Sequence, residues 1–166
     1  MFEQPQIQTE ESGDKSLLNI RDILQFAKEV TVDEVKMLLD RQISFNSAIS
    51  EEGLSHNWGA EVGRTLYETE GNGLKTRIKA AAAAGSDARM SGCSLPVVIN
   101  SGSGNQGITV SMPVIVYAGE TGADEEMLYR ALIVSNLISV HQKRYIGNLS
   151  AYCGAVSAGT ARSEEH

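Results

Sequence analysis

Five consecutive alanines, Ala80 to Ala84, followed by Gly85, constrain the fold more than any other feature of the chain. Alanine is the strongest helix former and carries no bulk beyond its methyl group. The run therefore predicts a helix over Leu74 to Ala84, closed by Gly85 in the usual C-terminal position. Such a helix can lie close to its neighbours. Only 5% of the residues are aromatic, while Ala, Gly, Leu, Ile and Val are plentiful. The expected core is thus one of helices packed through small residues, not one built on large aromatic anchors.

Helical signals extend on both sides. Ser16 to Val30 places Leu17, Leu18, Ile20, Ile23, Leu24 and Ala27 on one broad face. Thr31-Val32-Asp33-Glu34 reads as a capping box opening a helix with Val35, Leu38, Leu39 and Ile43 inward, fading near Glu51-Glu52-Gly53. Asn57 is positioned to cap a third helix through Trp58, Val62, Leu66 and Tyr67, stopping at Gly71-Asn72-Gly73. Leu95 to Ile99 is too short to classify by period. Ile108 to Ala118 is apolar nearly all round, and Pro113 should kink or break a helix there. Asp124 can cap an apolar helix from Glu125 to about His141, whose Glu125 and Glu126 read as a solvated first turn. Asn148 to Gly159 is a further small-residue helix carrying Cys153. The expected class is all-α, a helical bundle with a buried hairpin of apolar helices behind a glycine-rich loop.

At 166 residues the chain is long enough for one domain with a real core. Twenty-one acidic against fourteen basic residues give a formal charge of -7. That sign disfavours nucleic acid and anionic membranes, and no Lys/Arg stripe offsets it. No apolar run reaches the roughly 18 residues of a membrane-spanning helix. Met1 to Gln6 lacks a basic start and apolar stretch. Two cysteines are too few for a disulfide scaffold, so the expected compartment is the cytoplasm.

The segment Asn100-Ser101-Gly102-Ser103-Gly104-Asn105-Gln106-Gly107 is the most informative for chemistry. Its glycines and small polar residues allow successive amides to turn toward one point, and a following helix would add its positive end. A carboxylate or phosphate suits such a concavity, although a tight helix connection would also need the glycines. The spacing is neither a Walker loop nor a dinucleotide fingerprint. Cys93 and Cys153 each stand beside a glycine, which suits small buried hydrophobes as well as ligands. His141 heads Gln142-Lys143-Arg144 at an expected helix C-terminus, as a proton carrier or as a cation on the helix dipole. His56, just before the third helix, reads as a capping or solvent contact.

Three segments carry a family resemblance: Ser91-Gly92-Cys93-Ser94-Leu95-Pro96 running on to Gly107, Ser135-Asn136-Leu137-Ile138-Ser139-Val140-His141-Gln142-Lys143, and Leu149-Ser150-Ala151-Tyr152-Cys153-Gly154 running on to Gly159. Together they closely resemble the L-cysteine desulfidase family, whose catalytic module is shared with the alpha part of iron–sulfur L-serine dehydratases. The resemblance implies a lyase without pyridoxal phosphate. A [4Fe–4S] cluster held by three cysteines would assist loss of sulfide from cysteine or water from serine, leaving pyruvate and ammonia. It implies Cys153 as a cluster ligand in the Ser-Ala-Tyr-Cys-Gly motif and His141 as a polar or acid/base contributor. It also implies Asn100, Ser101, Gly102, Ser103, Gly104, Asn105 and Gln106 as the place of the substrate carboxylate. Cys93 lies in a motif near the site and receives no assignment.

The family's other cluster cysteines are absent from this chain, and Thr160 to His166 resembles no part of the family. The expected organisation is a polar lead-in at 1–14, an incomplete helical domain at 15–160 and a non-family tail at 161–166. Two readings stay open for the chain by itself: part of the lyase, completed by a partner, or a non-catalytic scaffold or carboxylate-binding module. Loss of partner helices would expose the faces of Ile108 to Ala118 and Leu128 to Val140, which predicts a homo-oligomer or a complementing chain.

Overall fold

Six helices account for almost all of the residues described by a computed structural model, which are 14, 17–146 and 153–156. They are α1 (Ile20–Glu29), α2 (Val32–Ser55), α3 (Val62–Glu70), α4 (Leu74–Met90), α5 (Gly104–Thr121) and α6 (Glu125–Ile146). Among the described residues no strand forms, as the all-α expectation requires. The expected lead-in at 1–14 lies almost wholly outside the described residues, and the tail at 161–166 entirely so. Of the expected helix at Asn148 to Gly159, only 153–156 are described, with 154–156 helical.

The alanine run does what its composition dictates, but Gly85 does not end the helix. α4 continues to Met90, and Gly85 instead permits close approach: a β-carbon there would sit 3.2 Å from Ile108 Cγ2 and 3.4 Å from Ser50 Cα. The same device recurs opposite, where a β-carbon on Gly53 of α2 would fall 2.1 Å from the Ala84 carbonyl oxygen. Ser50 Oγ donates to the Ala81 carbonyl at 2.7 Å, so the α2–α4 seam is a contact of backbones with almost no side chain between. Ile49, Ala81, Ala88, Ile108 and Met112 form the core on this side. Val30, Leu39, Val114, Tyr129, Leu132 and Ile133 form the other, between α1, α2, α5 and α6.

Helix ends depart from the sequence expectations in instructive ways. α1 begins at Ile20, because Asn19 supplies the cap by accepting from the Asp22 amide at 3.0 Å. Thr31 stands at the N-cap of α2 without a side-chain hydrogen bond, so the capping box is not formed. α3 starts at Val62, not at Trp58; the Val62 amide donates to Asp87 of α4 at 2.8 Å, and Asn57 instead accepts from Arg64. Pro113 neither breaks nor ends α5, which runs unbroken through it. α5 is enclosed by α2, α4 and α6, and burial of its apolar surface outweighs the one backbone bond that proline removes. The Met127 amide donates to Asp124 Oδ1 at 2.7 Å, the expected cap of α6. That helix extends past His141 to Ile146.

The apolar faces expected to be exposed are not. Ile108, Val110, Met112 and Val114 of α5 and Leu132 and Ile133 of α6 are buried within the chain. Exposed apolar side chains gather elsewhere, at Leu24 and Phe26 of α1, Met37 and Leu38 of α2, and Ile99.

Candidate functional site

The glycine-rich segment divides into a turn and the start of a helix. Asn100 and Ser103 exchange backbone hydrogen bonds of 3.1 and 3.0 Å across Ser101 and Gly102. Both central residues have positive φ, 47° at Ser101 and 82° at Gly102. This is the primed kind of tight turn, which strongly prefers glycine or asparagine at each central position. A serine held left-handed is uncommon, and such strain is most often kept where it serves a site. Ser103 then caps α5, its Oγ accepting from the Gln106 amide at 3.2 Å. The amides of Gly104 and Asn105 open the first turn of the helix and have no intrahelical acceptor.

Two further contacts hold the segment in place. Asn46 of α2 accepts from the Val98 amide at 2.9 Å and donates to Ser111 Oγ at 2.9 Å and to the Gly107 carbonyl at 3.3 Å. Asn46 is fully buried and ties residues 98–107 to the bundle. Gly107 lets the incoming chain cross α5, since a β-carbon there would lie 2.0 Å from the Val98 carbonyl oxygen.

Behind the turn lies a chain of amides, buried at Gln42, Asn100 and Gln106 and half-buried at Asn136, whose orientation follows from backbone carbonyls, which can only accept. Asn136 Nδ2 donates to the Leu132 carbonyl at 2.8 Å, which turns its Oδ1 away to accept from Gln42 Nε2 at 3.0 Å and from Asn100 Nδ2 at 3.0 Å. Asn100 Nδ2 also donates to the Asn136 carbonyl at 3.2 Å, so Asn100 Oδ1 must face the other way. It accepts there from Gln106 Nε2 at 3.0 Å and from Ser101 Oγ at 2.9 Å. Gln106 Nε2 donates as well to Ser139 Oγ at 2.6 Å. The relay thus fixes Gln106 Oε1 as a buried acceptor, and it has no hydrogen-bond partner among the described residues.

Gln106 Oε1 faces the described segment that carries Cys153. A β-carbon on Gly154 would stand 2.1 Å from that oxygen and 3.1 Å from Lys143 Nζ. Lys143 is 6% exposed, an unusual burial for lysine. It shares a face of α6 with Ser139 and Asn136. His141 does not: at two residues from Ser139 it lies about 200° round the helix. Its ring packs edge-on to Tyr145 at 5.5 Å, and its Nδ1 is buried without a partner among the described residues. It lies five residues before the end of α6, near the helix C-terminus as expected, but is half-buried and not at the surface.

Arg89 completes the outer side. Its guanidinium lies across Gly104, where a β-carbon would fall 2.2 Å from Nε, and its Nη1 donates to Asn105 Oδ1 at 3.1 Å. A guanidinium beside the positive end of a helix is an unfavourable pairing of like signs. An anion bound between them would turn it into a favourable one. Arg89, Lys143, Gln42, Asn136 and Ser139 are the residues that sequence reading missed. The one available signal was polarity on the inner face of α6, where Ser135, Asn136, Ser139 and Lys143 interrupt an apolar stripe.

Glu125 and Glu126 are also more than a solvated turn. Glu126 accepts from Arg130 at 2.7 Å. Glu125 accepts from Lys36 Nζ at 2.6 Å, and Lys36 donates to Tyr129 Oη at 2.7 Å. Tyr129 hydrogen-bonds to the Asp40 and Glu125 carboxylates. Burial first, then these carboxylates, push the Tyr129 hydroxyl up to about 12. The hydrogen bond to Glu125 is the main cause holding the Lys36 ammonium above its ordinary range, and Lys36 in turn holds Glu125 low. This ionic cluster lies nearer the start of α2 and α6 than the amide relay does.

The two cysteines stand in different settings. Cys93 is half-buried and packs against the Ile49, Ala81 and Ile108 core, while Cys153 is exposed. The chain has two cysteines in all, and among the described residues no three His, Cys, Asp or Glu side chains gather to hold a metal. A three-thiolate cluster does not fit this donor set. No helix among the described residues is long and apolar enough to cross a membrane.

Comparison with known proteins completes the picture. The family described as serine dehydratase alpha chain matches residues 3–163. A UPF0597 protein of Desulfitobacterium hafniense (strain Y51) is 60% identical over 146 residues, 88% of this chain and 34% of its own length. UPF0597 proteins of Finegoldia magna and Lachnoclostridium phytofermentans are 56% and 55% identical, each over 87% of this chain and 34% and 35% of their own lengths. The chain thus spans about a third of the length of the curated relatives it matches. No solved structure matches significantly.

Proposed function

We propose, from the premise that this chain belongs to the serine dehydratase alpha chain family, that it is the amino-acid-binding part of a lyase acting on a β-substituted L-amino acid. The reaction is elimination of water from serine or sulfide from cysteine, giving pyruvate and ammonia. The observation that carries the reading is Arg89 laid across Gly104 at the positive end of α5. There the Gly104 and Asn105 amides, the guanidinium and the strained Ser101–Gly102 turn form a cradle for the substrate carboxylate.

Two α6 side chains are candidates to carry the α-proton. Lys143 lies beside Gln106 and Gly154. His141, which the family resemblance implies, lies round the helix with its Nδ1 enclosed. Exchange of the serine α-hydrogen with deuterium from solvent separates them. The residue whose loss (Lys143→Met or His141→Gln) abolishes exchange without weakening serine binding is the base.

The cysteine pair supports no step through a cluster in this chain alone. Iron–sulfur chemistry as in the family would call for a complementing chain or a second copy, and this is the partner that the reading requires. Anaerobic iron and sulfide reconstitution, with pyruvate measured from serine and from cysteine, tests the enzyme reading. Pyruvate formed with a cluster chromophore, both lost in Cys153→Ala, supports it. Saturable serine binding with no pyruvate would support the second reading, a carboxylate-binding module, which the exposed Cys153 and core-packed Cys93 favour.

A further inference from the structure

A groove of about 310 Å³ opens directly beside the Asn100–Ser103 turn. Its walls come from Phe26, Leu38, Ile99, Ile133, Leu137 and Val140. Asn100 and Ser101 belong both to this groove and to the turn, so the groove reaches the turn that forms one side of the carboxylate cradle. Among the described residues no charged side chain lines it. Its polar floor, Gln42 and Asn136, is occupied internally, each amide donating to the other at 3.0 and 2.8 Å. The groove therefore offers little to a charged or strongly polar group. Its walls hold Phe26 at 46%, Leu38 at 60% and Ile99 at 59% exposure, apolar surface that an occupant would cover.

The leaving groups of serine and free cysteine make poor use of such a space. A hydroxyl is about the size of one water, whose share of liquid volume is about 30 Å³. We propose that the site takes L-cysteine derivatives whose sulfur carries an apolar alkyl or aryl substituent, with that substituent in the groove and the carboxylate at the turn. This rests on the elimination reading above. The step keeps the same balance. A base removes the α-proton, the C–H pair becomes the Cα=Cβ bond, and the Cβ–S bond breaks with its pair on sulfur. The thiolate leaves and takes a proton to become the thiol. The remaining 2-aminoacrylate tautomerises to an imine, which water hydrolyses to pyruvate and ammonia. Nothing is oxidised or reduced.

Equilibrium binding of L-serine, S-methyl-L-cysteine and S-benzyl-L-cysteine to this chain tests the proposal, with Leu38→Glu and Arg89→Met as variants. Leu38 is exposed on α2, so its replacement leaves the core intact. S-Benzyl-L-cysteine should bind at least tenfold more tightly than the S-methyl compound. Leu38→Glu should erase that gain and leave serine unchanged, while Arg89→Met should weaken all three. Equal binding of the S-methyl and S-benzyl compounds, with serine still bound, overturns this inference alone. So does benzyl mercaptan binding as tightly as S-benzyl-L-cysteine. Failure of all three amino acids to bind overturns the carboxylate reading, and this inference with it.

Discussion

Helices α2 and α6 are joined by two polar connections of opposite character. Near the middle of the contact, Gln42 and Asn136 exchange amide hydrogen bonds and pass their orientation on to Asn100 and Gln106. At the end near the start of both helices, Lys36, Asp40, Glu125 and Tyr129 form an ionic cluster. The amide relay carries no charge, so neither pH nor salt can tune it, and every member is set by a carbonyl that only accepts. The ionic cluster holds the same helices, yet each partner can be protonated or screened. The molecule thus places its permanent connection beside the turn that we read as the substrate site, and not at the solvent end.

Breaking the relay should have the largest effect. Asn136→Ala leaves Gln42 facing no amide and Asn100 with one acceptor fewer, in a buried setting. Unfolding by urea should show a loss on the order of 3 kcal/mol. A loss below about 1 kcal/mol would mean that the relay is not a structural unit. Tyr129→Phe removes only one hydroxyl from the other connection and should cost about 1 kcal/mol at neutral pH.

The dependence on pH sharpens the contrast. Glu125 is held below its ordinary value of 4.5, so its contribution is present above that value and is lost as pH falls through the folded pKa. Tyr129 is raised from 10.0 to about 12, so its contribution is present below 10.0 and is lost as pH rises toward 12. Lys36, raised from 10.5, adds to the same alkaline loss. Stability measured across pH should therefore form a plateau with an acid and an alkaline limb. Glu125→Gln should flatten the first and Tyr129→Phe the second, whereas Asn136→Ala should lower the whole curve without changing its shape. The smallest effect is that of salt: raising it should shift the wild-type midpoint slightly and the Glu125→Gln midpoint less, because the Lys36–Glu125 pair is exposed and screened.

Much of the fold was legible in the residues, and the reason is local. Alanine-rich α4, the Asp124 cap and the existence of each helix follow from propensity and period. Where reading failed, a distant partner decided. Gly85 looks like a helix end until Ser50 and Ile108 are seen against it. Pro113 looks like a break until three helices enclose it. At the site, the glycine-rich segment pointed to the turn and to Gln106. Nothing local, however, marks Arg89, 15 residues before Gly104 in sequence and across its backbone in space. Burial of Lys143 was equally hidden, because Gln142-Lys143-Arg144 reads as an ordinary solvated helix end.

The carboxylate site we propose is formed by the amides of Ser101, Gly102, Gly104 and Asn105 together with Arg89, the Ser103 amide being taken by the Asn100 carbonyl. Titration of isotopically labelled protein with L-serine, following backbone amide resonances, tests it most directly. Saturable shifts centred on Ser101, Gly102, Gly104 and Asn105 are expected, weakened at least tenfold in Arg89→Met with the fold unchanged. Shifts that appear elsewhere, or that persist undiminished in Arg89→Met, would contradict it.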